Sequence, residues 1–132
     1  MTQPTASGNA DVVLEFEPPA DPISMNEGDS WKVRKSAKLW RERAYWAWCE
    51  AHPGQGPSGR VAPTPGVVRV VLPFPVSRGR DPINYAKTVK HIVDGITDAG
   101  AWPNDTPDYV AQEIPTLSVG TKLVVVRVSP AE

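Results

Sequence analysis

The stretch Val67-Val68-Arg69-Val70-Val71-Leu72-Pro73-Phe74, continued through Arg78-Gly79-Arg80-Asp81-Pro82 to Gly100, decides the fold. Its first part is a β-branched run closed by Pro73 and Pro75, the pattern of a buried strand. In its second part Val89, Ile92, Val93, Ile96 and Ala99 recur at helical spacing, with Asn84, Lys87, Thr88 and His91 forming a polar stripe beside them. Asp81 suits the N-cap of this helix, Pro82 its first position, and Gly100 its end. A strand feeding a helix predicts a sheet with helices packed on it.

Upstream, Val12, Leu14 and Phe16 alternate with Val13, Glu15 and Glu17, which predicts a half-buried strand ended by Pro18, Pro19 and Pro22. Pro22-Ile23-Ser24-Met25-Asn26 reads as a loop. From about Lys35 to Ala51 the pattern is helical. Ala37, Trp40, Ala44, Ala47 and Trp48 form an apolar stripe beside Lys35, Lys38, Arg41 and Arg43. The tryptophans Trp31, Trp40, Trp46 and Trp48 read as core rather than as a base-stacking platform. His52-Pro53-Gly54 stops the helix, and residues 53–65 read as a flexible Pro- and Gly-rich loop. Downstream of the Trp102–Asp108 turn, Tyr109–Val119 and Leu123–Val128 predict two strands joined through Gly120-Thr121. Residues 1–10 are small and polar and are expected to be a disordered tail. The expectation is one small α/β (α+β) domain over residues 11–132, with a mixed sheet and two main helices.

With 132 residues, 40% hydrophobic and 22% charged, the chain suits a single core. It lacks an apolar run of membrane-spanning length and the layout of a signal peptide, so a cytoplasmic protein with no membrane partner is expected. Cys49 is alone and forms no internal disulfide. The net charge of −1 hides an uneven distribution. Residues 1–30 hold no Lys or Arg, whereas residues 31–80 hold ten, against only Glu42 and Glu50. Such a basic middle suits phosphate contacts, and equally a solvated helix face.

Two acidic residues flank the second helix, Asp81 before it and Asp105 in the turn after it. Phosphodiester cleavage with Mg²⁺ needs hard oxygen ligands, and a cation such as Lys90 offsets charge that builds up at the phosphate. Each residue also has an ordinary role: Asp81 as a cap, Asp105 as a turn residue, Lys90 with Asp94 as a surface ion pair, His91 as a solvated helix residue.

Arg78-Gly79-Arg80-Asp81-Pro82-Ile83-Asn84-Tyr85, followed by Lys90-His91-Ile92-Val93-Asp94-Gly95-Ile96-Thr97-Asp98-Ala99-Gly100 and then Trp102-Pro103-Asn104-Asp105, resembles the signature of RusA-like Holliday junction resolvases. That signature is a basic residue before D-x-D-N, a helix with a Lys and an Ala-Gly ending, and an acidic pair. Pro22-Ile23-Ser24-Met25-Asn26 is similar to the segment that opens many members. The Asp-Pro-x-Asn-Tyr form is similar to variants carried by bacteriophages, which would place the chain in a bacterial host's cytoplasm.

The resemblance implies a homodimeric, Mg²⁺-dependent endodeoxyribonuclease, with Mn²⁺ as a substitute, that resolves four-way or branched DNA by paired nicks in recombination and repair, with no small-molecule substrate. It names Asp81, Lys90 and Asp105 as catalytic, and Asp81 and Asp105 as metal ligands with Asn84 as an auxiliary. Lys32, Arg34, Lys35, Lys38, Arg41, Arg78, Arg80 and Lys87 are the expected DNA contacts. The chain departs from the pattern at Ile83, which replaces the second Asp of the motif and leaves Asn84, His91 and Asp94 as alternative substitutes for that ligand. It departs also at Asn104, which replaces the first member of the acidic pair, and in a helix three residues longer between Asn84 and Ala99-Gly100. Counting forward from Asn84 would place the catalytic lysine at Lys87; counting back from Ala99-Gly100 places it at Lys90. The competing expectation is a binding module of the same fold, catalytically weakened at those positions, that grips branched DNA.

Overall fold

In the computed structural model, which describes residues 11–28 and 30–131, the main elements run β1 (Val12–Phe16), α1 (Trp31–Glu50), β2 (Gly66–Phe74), α2 (Ala86–Asp98), β3 (Val110–Gln112), β4 (Thr116–Val119) and β5 (Val124–Pro130). The expected tail at 1–10 lies outside the described residues. β2 is the axis of a mixed five-stranded sheet. One of its edges pairs antiparallel with β5, which in turn pairs antiparallel with β1. The other edge pairs in parallel, first with β3 and then with β4. The fold is therefore α+β, with a parallel β2–α2–β3 unit set into an antiparallel frame.

The strand expected over Tyr109–Val119 is two short strands. Gly66 to Val68 pair with β3 and Val71 to Phe74 with β4. Between them Glu113 still donates its N–H to Val68 O at 3.2 Å, but Pro115 has no N–H to continue the ladder.

Alternation decides which face of the sheet is covered. Val68, Val70 and Leu72 of β2, Val124, Val126 and Val128 of β5, and Leu14 and Phe16 of β1 are all buried. Arg69 and Arg127 point the other way, into ion pairs with Glu113 and Asp11.

α1 begins one turn before the expected Lys35. Ser30 is the reason: its hydroxyl caps the helix by accepting from Val33 N at 3.3 Å. Val33, Trp40, Ala44, Ala47 and Trp48 form its buried face. The two buried indoles satisfy their N–H groups on main-chain carbonyls, Trp40 on Asp21 and Trp48 on Arg60. Trp31 and Trp46, read from the sequence as core, are exposed instead, because helical phase turns them away from this face.

α2 is preceded by a 3₁₀ turn, Pro82–Tyr85, and the N-cap role of Asp81 falls on that turn. Val89, Ile92, Val93, Ile96 and Ala99 are buried as the spacing predicts. Thr88, placed in the polar stripe by sequence, is fully buried. Its hydroxyl accepts from Ile23 N at 2.8 Å and donates to Ile23 O at 3.1 Å, fastening α2 to the segment before α1. At Gly95 the two helices touch: a Cβ built there would stand 2.1 Å from Arg41 O. Gly100, with φ of 112°, ends the segment in a conformation that favours glycine.

Candidate active site

One turn inside α2, Lys90 Nζ bridges two carboxylates. It donates to Asp94 Oδ1 at 2.6 Å, four residues along the same helix, and to Asp105 Oδ2 in the turn beyond it. The first contact follows from helical spacing. The second requires the chain to reverse after Gly100, and Asn104 shapes that reversal by accepting from Thr106 N at 3.1 Å.

The three groups hold one another in their charged forms. Lys90 is raised above its ordinary 10.5: burial opposes its charge, and hydrogen bonds to Asp105 and Asp94 outweigh that. Asp105 is lowered below its ordinary 3.8, first by Lys90 and then by the neighbouring Asp94. His91 departs from the solvated role expected of it. Only 19% of its side chain is exposed, Nδ1 lies 4.0 Å from Asp94 Oδ2, and Nε2 is buried with no hydrogen-bond partner. Burial lowers the imidazole below its ordinary 6.5, although Asp94 pulls the other way.

Asp81 is not joined to this cluster by any hydrogen bond or ion pair among the described residues. Its carboxylate is exposed and accepts from Ile83 N at 3.3 Å. Asn84 lies in the same 3₁₀ turn, half-buried. Arg78 and Arg80 reach the carboxyl end of β2, where with Phe74 they line two adjoining crevices of about 870 and 430 Å³. The Arg80 guanidinium donates to Val76 O at 2.8 Å and lies 4.1 Å from the centre of the Phe74 ring. Neither crevice is lined by Asp81, Lys90 or Asp105.

On α1, Lys32, Arg34, Lys35 and Lys38 are exposed. Arg41, also expected to meet DNA, is clamped by Asp98 of α2 at 2.6 and 2.9 Å. That partner lies 57 residues away, and no local pattern reveals it. Lys87 lies half-buried at the start of α2.

Among the described residues no group of three or more His, Cys, Asp and Glu side chains is placed to hold a metal ion. Asp94 and Asp105 are two hard oxygen donors on a common cation, which is the smaller set by which Mg²⁺ is bound when waters and substrate phosphates complete its shell. They fit that ion in exchange for Lys90 Nζ. Asp94, which the sequence offers mainly as an ion-pair partner, is thus a second carboxylate beside Lys90 and Asp105. No model of a known protein family matches this chain, and no curated protein matches it.

Proposed function

We propose that the chain is a divalent-metal-dependent endodeoxyribonuclease that nicks four-way or otherwise branched DNA. The observation that carries this reading is the contact between Lys90 and Asp105. These are two residues named by the RusA-like pattern, 15 positions apart, and their side chains meet beside a second carboxylate, Asp94.

Asp94 and Asp105 are the residues that would hold Mg²⁺, and Asp81 and Asn84 are the further oxygen donors that the resemblance names. When bound, the ion supplies Lewis-acid polarisation of a phosphoryl oxygen and a lowered pKa for water. Asp105 is ionised at neutral pH and needs no deprotonation to serve. Lys90 stays charged, and on this reading it would hold a non-bridging phosphate oxygen once a carboxylate lets it go. Arg78, Arg80 and the cations of α1 supply backbone contacts that position the duplex arms. A homodimer would relate two equivalent sites by a two-fold axis, as paired nicks require.

The test is a synthetic four-way junction incubated with Mg²⁺ or with EDTA and read on a denaturing gel. Nicks are expected with the metal only. Asp105→Asn and Lys90→Ala should each lower nicking by roughly 100-fold or more while junction binding persists. Absence of scission by the wild-type protein in Mg²⁺ and in Mn²⁺ would overturn the reading. The second reading is a module that binds branched DNA without cutting it, and Ile83 favours it, being 49% exposed where a ligand would stand. Junction binding with neither scission nor stabilisation by Mg²⁺ would select that alternative.

A further inference from the structure

We infer that the solvent face of α1 is a stacking platform for unpaired bases of a single-stranded nucleic acid. Trp31, Lys35, Lys38, Glu42 and Trp46 follow one another at steps of four, three, four and four residues, so they share one stripe of the helix. That stripe faces away from the buried side, which Val33, Trp40, Ala44 and Ala47 occupy. Trp31 is 63% and Trp46 58% exposed, although indole is among the side chains that gain most from burial. Each has one neighbour at its ring. Lys32 Nζ lies 5.9 Å from the Trp31 ring centre, and Tyr45 meets Trp46 edge-on at 5.0 Å.

The residues between the two rings choose the occupant. Lys35 and Lys38 make no ion pair among the described residues, and Glu42 is the one acid on the stripe between them and Trp46. A contact between protein surfaces concentrates apolar groups at its centre and excludes lysine. Here the order is reversed, with rings at the ends and ammonium groups between them. Single-stranded nucleic acid matches that order, since it offers π-faces for the rings and phosphates for the cations. The rings are separated by about 22 Å along the helix axis, room for several nucleotides.

The surface is read apart from the cleavage chemistry, and only its use at the unpaired strands of a junction rests on the nuclease reading. Titration of the full chain with a labelled oligothymidylate at low salt, followed by anisotropy and by quenching of tryptophan emission, tests it. Trp31→Ala and Trp46→Ala should each weaken binding about 10-fold, Trp→Phe at either position should restore most of it, and Lys35→Ala with Lys38→Ala should flatten the salt dependence. No binding by the wild-type protein, or an affinity unchanged in both alanine variants, overturns the proposal. So does a shift from dimer to monomer in those variants with single-strand affinity intact, which would assign the stripe to a second copy of the chain. Junction nicking measured alongside separates the two readings: nicking without oligothymidylate binding sinks only the platform, and binding without nicking sinks only the nuclease.

Discussion

The two helices treat their lysines in opposite ways. On α1, Lys35 and Lys38 extend into solvent between two exposed indoles and make no ion pair among the described residues. On α2, Lys90 is closed between Asp94 and Asp105. The same ammonium group is therefore offered outward in one place and used up internally in the other. An outward cation suits the diffuse negative charge of a nucleic-acid backbone, where binding is gained by counterion release. A cation closed between two carboxylates has its charge answered within the protein, and on the proposed nuclease reading those carboxylates are the ones that would take a metal ion. The contrast depends on α1 and α2 being fixed against one another, and the largest effect is expected where that contact is broken.

Gly95 is that place. With Arg41 O only 2.1 Å from a built Cβ, and with backbone rather than a flexible side chain as the obstacle, Gly95→Ala must push the helices apart. A loss of about 3 kcal/mol is expected, seen as a fall in Tm of roughly 10 °C. Lys38→Ala, on the outer face of α1, should stay within about 0.5 kcal/mol of wild type in the same measurement. Equal losses from the two substitutions would mean that the outer face of α1 is itself packed, and the comparison would fail.

A smaller effect belongs to Thr88. Valine keeps its shape but leaves Ile23 N and O without their partner in a buried setting. Thr88→Val should cost about 1–3 kcal/mol by urea unfolding. Thr88→Ser, which keeps the hydroxyl, should recover part of that. A neutral Thr88→Val would show that the anchor of α2 to the segment before α1 contributes nothing, and that Gly95 alone sets the pairing of the helices.

These same residues mark what the sequence makes legible. The spacing of Val89, Ile92, Val93, Ile96 and Ala99 is a local property, and every one of them is buried. The position of Thr88 is not local. Its partner lies 65 residues away, so a polar residue on the edge of an apolar stripe reads as solvated until the tertiary contact is known. Trp31 and Trp46 differ again. Their phase relative to Trp40 and Ala44 carries the signal, but treating the tryptophans as one set conceals it. At the site, the Lys90 to Asp94 spacing was legible from the helix period, while the arrival of Asp105 depends on how the chain turns after Gly100. Asp81 was legible as a cap and serves as one, on a 3₁₀ turn rather than on the helix itself.

The smallest expected effect concerns Arg41, a cation of α1 that departs from the outward pattern of Lys35 and Lys38. Its guanidinium is clamped by both oxygens of Asp98, yet the two side chains remain 50% and 42% exposed. Asp98 raises the Arg41 pKa further, but an arginine is charged at any pH of interest, so the shift changes no protonation state. A pair so open to water should contribute less than about 1 kcal/mol in a double-mutant cycle of Arg41→Ala and Asp98→Ala. On the proposed reading of α1 as a DNA-contacting helix, its consequence for DNA binding should be larger than its consequence for stability. While Asp98 holds it, Arg41 has little charge to offer a phosphate, so Arg41→Ala should weaken DNA binding less than Lys38→Ala does. In an Asp98→Ala background the guanidinium is released beside Lys38, one turn away, and removing it should then cost as much. An Arg41→Ala effect equal to that of Lys38→Ala in the wild-type background would show that the clamp opens on binding, and the line between outward and internal cations would have to be drawn elsewhere on α1.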